Sequence, residues 1–362
     1  MRSRCLHGPV GLILGTVLGL SIIGPAGAQD EVRHSDRALK RENLVTAGTI
    51  LTESPAGVVV KPQAGTVNRD IPAAEIADII YEVPGALRLD YRRAQAEERK
   101  LATLASADDR RRALRELIKA YRDLVPALGG ERYRFARRHL QFKVAFLLAR
   151  LAEEEPPAAG AALEALAAFQ REHGDGWQIS MAAKLLARLQ TGKGDLEGAL
   201  KTYRELAALP GLPGETRQES ELLAARALLQ GKKYAEAEEK LQVLLKGYAA
   251  DTPPALRAQV YLAVCTAGKG QLAEAVRRLE GILAATADPI VKATAANALG
   301  DCYRLHGRAK DALWAYLWVD VIYHQDRQEL TYALGQLAQL FAELGDTNRS
   351  RSYQERLQKS GR

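Results

Sequence analysis

Residues 299–316 read LGDCYRLHGRAKDALWAY, and this stretch decides the fold. Its marker positions are, in order, Leu299, Gly300, Tyr303, Gly307, Ala312 and Tyr316. The first three fall on one face of a helix, the glycine that follows them is a turn signal, and the last two are spaced as on one face of a second helix. The stretch therefore predicts two helices joined by a short turn.

The same hairpin pattern recurs upstream at nearly constant spacing. An alanine marks the second helix of each copy, at intervals of 38, 38 and 37 residues; these alanines are Ala199, Ala237, Ala275 and Ala312. A weaker copy lies at Ala161 or Ala162, and a degenerate last copy ends near Ser350. Glycine or alanine lets two helices approach closely, while Leu, Tyr or Phe fills the gap to the next repeat. Because no hairpin buries its apolar face alone, several must stack.

The order and spacing of these residues resemble the tetratricopeptide repeat (TPR) family over about residues 143–358. Ala296 stands where the family often has Trp, and the repeat is longer than the family length of about 34 residues. The resemblance implies a mostly α fold, an α-solenoid of TPR-like helical hairpins. It also implies a protein that binds a protein or peptide partner rather than an enzyme, with no cofactor and no metal. The extra length predicts longer loops between repeats.

The first helices of TPR repeats line a concave groove that holds a peptide, so the resemblance also implies candidate groove residues. In the register above these are Lys184, Arg188, Arg226, Asn297, Asp301 and Arg304. Val260 and Val264 lie between them. The set is mostly basic over an apolar floor, which suits an acidic peptide or a C-terminal carboxylate. Scattered, solvated charges are the alternative interpretation.

The N-terminus has the pattern of an export signal. Arg2 and Arg4 precede an apolar stretch over residues 10–23, and Ala26-Gly27-Ala28 supplies small residues for a signal peptidase. The stretch is shorter than the roughly 20 residues that span a membrane, which disfavours an uncleaved anchor. We therefore expect cleavage after Ala28 and a location in the periplasm or cell envelope.

Residues 29–84 differ in composition from the rest of the chain. Residues 29–45 are charged without a sustained period, which predicts a flexible leader or a short helix. Residues 46–84 are rich in β-branched residues and turn signals, which predicts a small β-module, SH3-like or an open sheet, with strands over 46–53, 58–61, 67–71 and 76–81. So short a module is marginal alone, which suggests docking on the helices.

Residues 87–142 form a basic helical segment before the repeats. Residues 91–150 contain sixteen Lys/Arg and seven Asp/Glu, a net charge of +9. The charges are interpreted as a solvated helix face, as a surface for anionic lipid or cell-wall polymer, or as a nucleic-acid site. The second of these, centred on helices 110–150, would define a structural envelope protein. Export and sparse aromatic residues disfavour nucleic acid.

Catalytic and metal-binding signatures are missing from the sequence. It has no Walker loop, no HExxH and no GxSxG motif, and no histidine has a second His or Cys at a familiar ligand spacing. An active site in the β-module, with Asp70, Glu75 and Asp78 as candidates, is the remaining enzymatic hypothesis. Cys265 and Cys302 occupy equivalent places in neighbouring repeats, roughly 8–10 Å apart. That separation is too long for a disulfide, which predicts two free, buried thiols.

Overall fold

The computed structural model describes residues 29–104 and 106–360. Residues 1–28, which contain the predicted export signal, lie outside the described residues. The described part begins with five strands and continues as fourteen α-helices. The strands are β1 Asp30–Asp36, β2 Arg41–Ser54, β3 Gly57–Pro62, β4 Arg69–Pro72 and β5 Ile76–Ile80.

The strands form one open antiparallel sheet in the order β4-β3-β2-β1-β5. A tight turn at Pro55-Ala56 joins β2 to β3, and Gly57 follows it with a φ of 149°. A side chain at Gly57 would collide with the Ile71 carbonyl of β4, so only glycine allows this close approach. The open-sheet form of the predicted β-module is therefore confirmed.

The flexible leader predicted for residues 29–45 is wrong. Residues 30–36 form β1, which lies inside the sheet and pairs with both β2 and β5. Only two of its side chains are buried, those of Val32 and His34, and these alternate along the strand. Two buried side chains among charged ones are too few to show a strand period in the sequence. The strand is ordered by its pairing with β2 on one edge and β5 on the other.

The helices follow one another with short connections. They are α1 Arg88–Lys100, α2 Ala107–Leu124, α3 Arg134–Glu154, α4 Ala159–Glu172, α5 Ile179–Gly192, α6 Leu196–Ala208, α7 Gly214–Gln230, α8 Tyr234–Gly247, α9 Pro253–Gly268, α10 Leu272–Ala285, α11 Pro289–Leu305, α12 Ala309–Val321, α13 Arg327–Glu343 and α14 Thr347–Ser360. None of the helices among the described residues is both long enough and apolar enough to cross a membrane. Helix α3 runs through residues 142 and 143, so no domain boundary lies there.

Five hairpins, α5–α6 to α13–α14, build an α-solenoid with TPR-like repeats. Each turn contains one residue in the left-handed region, and these residues are spaced by 38, 38, 37 and 38 positions; they are Gly194, Lys232, Gly270, Gly307 and Gly345. The marker alanines of the second helices are fully buried, and Ser350 takes the equivalent buried place in the last hairpin. The predicted solenoid of helical hairpins is therefore confirmed.

Close packing inside a hairpin depends on small residues, as the sequence indicates. Gly300 of α11 faces the ring of Tyr316 on α12, and a Cβ at this position would overlap the ring. Leu299 is buried and Tyr303 is partly buried in the adjoining cores. Cys265 and Cys302 are free and fully buried, as predicted, and burial raises the pKa of both thiols to about 12.

The sheet is docked firmly on the first helices. Val32, Ile79, Tyr91 and Phe142 belong to one continuous apolar core that spans the sheet and helices α1–α5. A buried polar network crosses the same junction and is centred on Glu53. Arg138 Nη2 lies 2.6 Å from Glu53 Oε2, and the Tyr81 hydroxyl donates to Glu53 Oε1 at 2.6 Å. The indole of Trp177 in turn donates to the Tyr81 hydroxyl at 3.1 Å. Sheet and solenoid therefore form one body.

Candidate partner-binding surface

The first helices of the hairpins lie side by side on the inside of the solenoid. Helices α7, α9, α11 and α13 pack consecutively on one another, whereas the second helices form the outer layer. Helix α9 is buried on both faces, and Val260 and Val264 expose only 0% and 7% of their surface. The apolar floor predicted for the groove is therefore covered by neighbouring helices.

A buried ion pair closes the middle of this inner surface. Arg226 Nη1 of α7 lies 2.9 Å from Glu329 Oε1 of α13, although the two helices are three repeats apart. Asn297 of α11 donates to Glu329 Oε2 at 2.8 Å, and the Arg226 guanidinium lies 4.8 Å from the centre of the Tyr332 ring. Burial raises the pKa of Glu329, but the charge of Arg226 and the amide of Asn297 outweigh it and hold the pKa below its ordinary value.

A second carboxylate is held next to this pair. Asp301 accepts hydrogen bonds from the hydroxyls of Tyr316 at 2.7 Å and Tyr332 at 2.8 Å. Burial raises the pKa of Asp301, and the two tyrosine hydroxyls offset part of that rise. Arg304, one turn further along α11, lies near the edge and pairs with Glu343 at 2.7 Å. Both residues are thus engaged by α13 or by their own hairpin.

Three buried polar atoms around the centre make no hydrogen bond to the described residues. They are Tyr261 Oη, Arg257 Nε and Asn297 Oδ1. Tyr261 and Asn297 expose only 3% and 2% of their surface. Ordered water commonly satisfies such groups in protein interiors. The centre is therefore a polar brace between helices and differs from the open groove that the sequence predicts.

The open part of the inner surface lies at α5. Met181, Lys184 and Arg188 are spaced by three and four residues, so they share one face of the helix. Met181 exposes 47% of its surface, and the Arg188 side chain exposes 56%. Lys184 Nζ lies 2.6 Å from Glu219 Oε2, and Arg188 pairs with Glu153 of α3. This face, defined by Met181, Lys184 and Arg188, is called the α5 rim below.

Further positive charge lies close to the α5 rim. Burial and the nearby charge of Arg327 lower the pKa of Arg150 on α3, although Glu153 partly offsets these effects. Because Arg327 begins α13, the last repeat approaches α3 across the inside of the solenoid. Two arginines from distant parts of the chain therefore add to the basic character of the α5 rim.

The six predicted groove residues thus lie in three places. Arg226, Asn297 and Asp301 lie together in the closed centre, Lys184 and Arg188 lie at the α5 rim, and Arg304 lies near the end of α11, where it pairs with Glu343. Whether any of them contacts a partner stays a prediction. Sequence reasoning missed Glu329, which the spacing of 38 residues places at the position of the buried Val291 in the preceding repeat. The other repeats hold Gln178, Thr216, Pro254 and Val291 at this place, so Glu329 is the only one of the five that carries a charge.

The positive charges of residues 91–150 are mostly paired with acids. Arg110 Nε lies 2.8 Å from Glu154 Oε1, and Lys143 Nζ lies 2.9 Å from Glu98 Oε1 and 3.1 Å from Asp78 Oδ1. Asp78, a candidate in the enzymatic hypothesis, is thus an ion-pair partner at the sheet–helix junction. Within the described residues, no group of three His, Cys, Asp or Glu side chains is arranged to hold a metal ion.

Comparisons with known proteins find similarity only among solved structures. No protein-family model matches the sequence, and no curated protein does. A tetratricopeptide repeat protein from Parabacteroides merdae aligns over 76% of this chain and 94% of its own, at 14% identity and a TM-score of 0.44. TPR-like repeats of a putative kinesin light chain from Podosopora anserina align over 49% and 92%, at 22% identity and 0.29. A Rap protein complexed with competence and sporulation factor aligns over 76% and 74%, at 14% identity and 0.38.

The stacked hairpins, their buried marker alanines and their left-handed turns define the class of this protein. It is a TPR-like α-solenoid with an N-terminal antiparallel sheet docked on its first helices.

Proposed function

We propose that the protein is a non-catalytic interaction scaffold of the periplasm or cell envelope that binds an acidic protein segment at the α5 rim. The observation that carries this proposal is one face of α5 on which Met181 and Arg188 are exposed and Lys184 is half-buried, close to Arg150 and Arg327. An exposed apolar side chain on the same helix face as two cations can bury part of a peptide while the cations pair with its carboxylates.

The pairs that now engage the α5 rim are weak enough to be exchanged. Lys184–Glu219 and Arg188–Glu153 are partly exposed, and such ion pairs contribute about 0–1 kcal/mol each. The buried Arg226–Glu329 pair is different, because breaking it would leave a buried charge without a partner. A partner is therefore expected at the rim and not in the closed centre.

The location outside the cytoplasm rests on the sequence of residues 1–28. Positive residues, an apolar stretch and small residues follow one another there, an order that is typical of a cleaved export signal. Fractionation of cells that express the chain, with the size of the product measured by mass spectrometry, tests this part separately. A product that keeps residues 1–28 or stays in the cytoplasm would contradict it.

The alternative function, polymer or membrane binding through helices 110–150, has less support. Arg110, Arg115 and Lys143 each pair with a carboxylate elsewhere in the chain, so much of the net charge is neutralised locally. Salt-sensitive attachment to envelope fractions would favour this alternative over a protein partner.

The decisive experiment compares two variants with the same change in charge. Lys184→Glu/Arg188→Glu reverses the α5 rim, and Lys201→Glu/Arg204→Glu reverses two exposed cations on the outer side of α6. Affinity capture from an envelope fraction, with bound proteins identified by mass spectrometry, should yield a partner with the wild type and the α6 variant and lose it with the rim variant. Equal capture by all three proteins would refute the rim as the binding site.

A further inference from the structure

Helix α12 carries an apolar stripe on its outer face. Trp314, Trp318, Val321 and Ile322 expose 65%, 43%, 67% and 51% of their surface. They are spaced by four, three and one residues, so they form one line along the helix. The opposite face of α12, with Ala312, Ala315, Tyr316 and Val319, is buried in the solenoid. A helix that is apolar on both faces is normally covered on both.

The equivalent helices of the other repeats lack this stripe. Counting from the marker alanine of each hairpin, the place of Trp314 is held by Lys201, Glu239 and Arg277 in α6, α8 and α10. The place of Trp318 is held by Glu205, Val243 and Gly281. A charged position in three repeats has thus become tryptophan in the fourth. Packing of the repeat does not require this change, because the side chain at this position points away from the solenoid.

We infer that α12 is a self-association surface, on which a second copy of this chain packs its own α12 in antiparallel orientation. A two-fold axis near Trp318 brings the two Trp318 rings together. It also places the large indole of Trp314 opposite the smaller Val321 and Ile322 of the other copy. The stripe is therefore complementary to itself, as a symmetric two-fold interface requires.

The charges around the stripe agree with the antiparallel arrangement. The nearby acids are already paired within each copy, Asp320 with Arg356 and Asp311 with Arg308. Lys310, one turn before Trp314, is exposed. Antiparallel packing separates the two copies of Lys310 by roughly 24 Å along the helices, beyond the screening length of about 8–10 Å. Parallel packing would set them side by side.

The exposed area is of the size that a dimer needs. The two indoles alone expose on the order of 200 Å², and the two aliphatic residues bring the apolar area to roughly 400 Å². Interfaces are about 57% apolar, so an apolar core of this size corresponds to roughly 700 Å² on each copy with its polar rim. Stable interfaces bury about 800 Å² per partner.

The first test measures molar mass by sedimentation over about 1–100 µM, a range in which interfaces of this size associate. The chain should sediment as a dimer both with and without residues 1–28, because the stripe lies in α12. Trp314→Arg/Trp318→Glu installs residues that the equivalent helices already carry, and it should raise the dimer dissociation constant at least about tenfold. Val243→Glu, at the one exposed large apolar residue that the structure describes in α8, is the matched control and should leave the mass unchanged.

The second test fixes the geometry. In the chain without residues 1–28, Trp318→Cys should form a disulfide-linked dimer on mild oxidation, because the two-fold axis brings the two side chains together. Cys265 and Cys302 are buried and do not interfere. Leu305→Cys, an exposed position on α11, should stay uncrosslinked. A wild type that is monomeric throughout the concentration range would overturn the inference. So would a monomer that binds vesicles of anionic phospholipid through the stripe, with a blue shift of tryptophan fluorescence.

Discussion

Arg226 and Glu329 form a buried ion pair across 103 residues of chain, with 2.9 Å between Nη1 and Oε1. The pair joins the second of the five hairpins to the fifth and therefore fixes the curvature of the solenoid. Repeat proteins normally bend freely, because each repeat contacts only its neighbours. Here a contact between distant repeats adds a brace, and the inner surface is closed at its centre as a result.

Glu329→Gln tests the brace. The substitution keeps the shape and leaves the guanidinium of Arg226 buried without a counter-charge, so the free energy of unfolding should fall by about 3–5 kcal/mol. Denaturant unfolding monitored by circular dichroism measures this. Glu343→Gln removes the exposed partner of Arg304 and should change stability by no more than about 1 kcal/mol.

The ion pair should also contribute to acid sensitivity. The pKa of Glu329 is below its unfolded value of 4.5 in the fold, so its contribution to stability is present above pH 4.5 and is lost as the pH falls further. Glu329→Gln should therefore be less sensitive than the wild type to acidification below pH 4.5. Equal acid sensitivity of the two proteins would show that other carboxylates dominate.

His139 should make the docking of the sheet depend on pH. Its ring is buried beside Asp78, Lys143, Tyr81 and Trp177. Burial lowers its pKa below the unfolded value of 6.5, and the charge of Lys143 acts in the same direction, whereas Asp78 opposes them. A base with a lowered pKa stabilises the fold above its unfolded pKa, and this contribution is lost as the pH falls below 6.5.

The measurement compares unfolding midpoints at pH 7.5 and pH 5.5. The wild type should lose stability between these values, and His139→Phe should lose less, since it keeps the ring and removes the titration. His324→Phe, at an exposed histidine, is the control and should behave as the wild type. If His139→Phe kept the full pH dependence, another group would have to be responsible.

The repeats could be predicted from sequence because their determinants are local. Ala199, Ala237 and Ala275 sit one hairpin apart, and each meets a helix only a few residues away in the chain. The closure of the inner surface depends instead on the small rotation of each repeat relative to the next, summed over several repeats. The spacing of residues in the sequence does not reveal these rotations. The same holds for β1, whose position in the sheet is decided by β5, more than 40 residues later. The exposed side of α5 was predictable; the burial of Arg226 and Asp301 was not.

The turn at Lys232 should be strained relative to its equivalents. Four of the five hairpin turns place glycine in the left-handed conformation, whereas Lys232 adopts a φ of 58° there. The left-handed conformation costs a residue that has a side chain about 1–2 kcal/mol, and glycine avoids this cost. Part of the gain is offset because glycine has more backbone conformational entropy in the unfolded state. Lys232→Gly should therefore raise the free energy of unfolding by about 0.5–1 kcal/mol. Gly270→Lys, the reverse change at the next turn, should lower it by a similar amount, and equal stabilities would contradict the strain.

Gly300 and Gly281 provide the sharpest comparison of packing inside the repeats, because both lie within helices. A Cβ at Gly300 would overlap the ring of Tyr316, whereas one at Gly281 would meet open space. Gly300→Ala should therefore destabilise the protein by about 1–3 kcal/mol, since the ring of Tyr316, whose hydroxyl donates to Asp301, has to move. Gly281→Ala should stabilise it by up to about 1 kcal/mol through helix propensity alone. Denaturant unfolding of the two variants beside the wild type decides the point: changes of the same sign would mean that the close approach of α11 and α12 does not constrain Gly300.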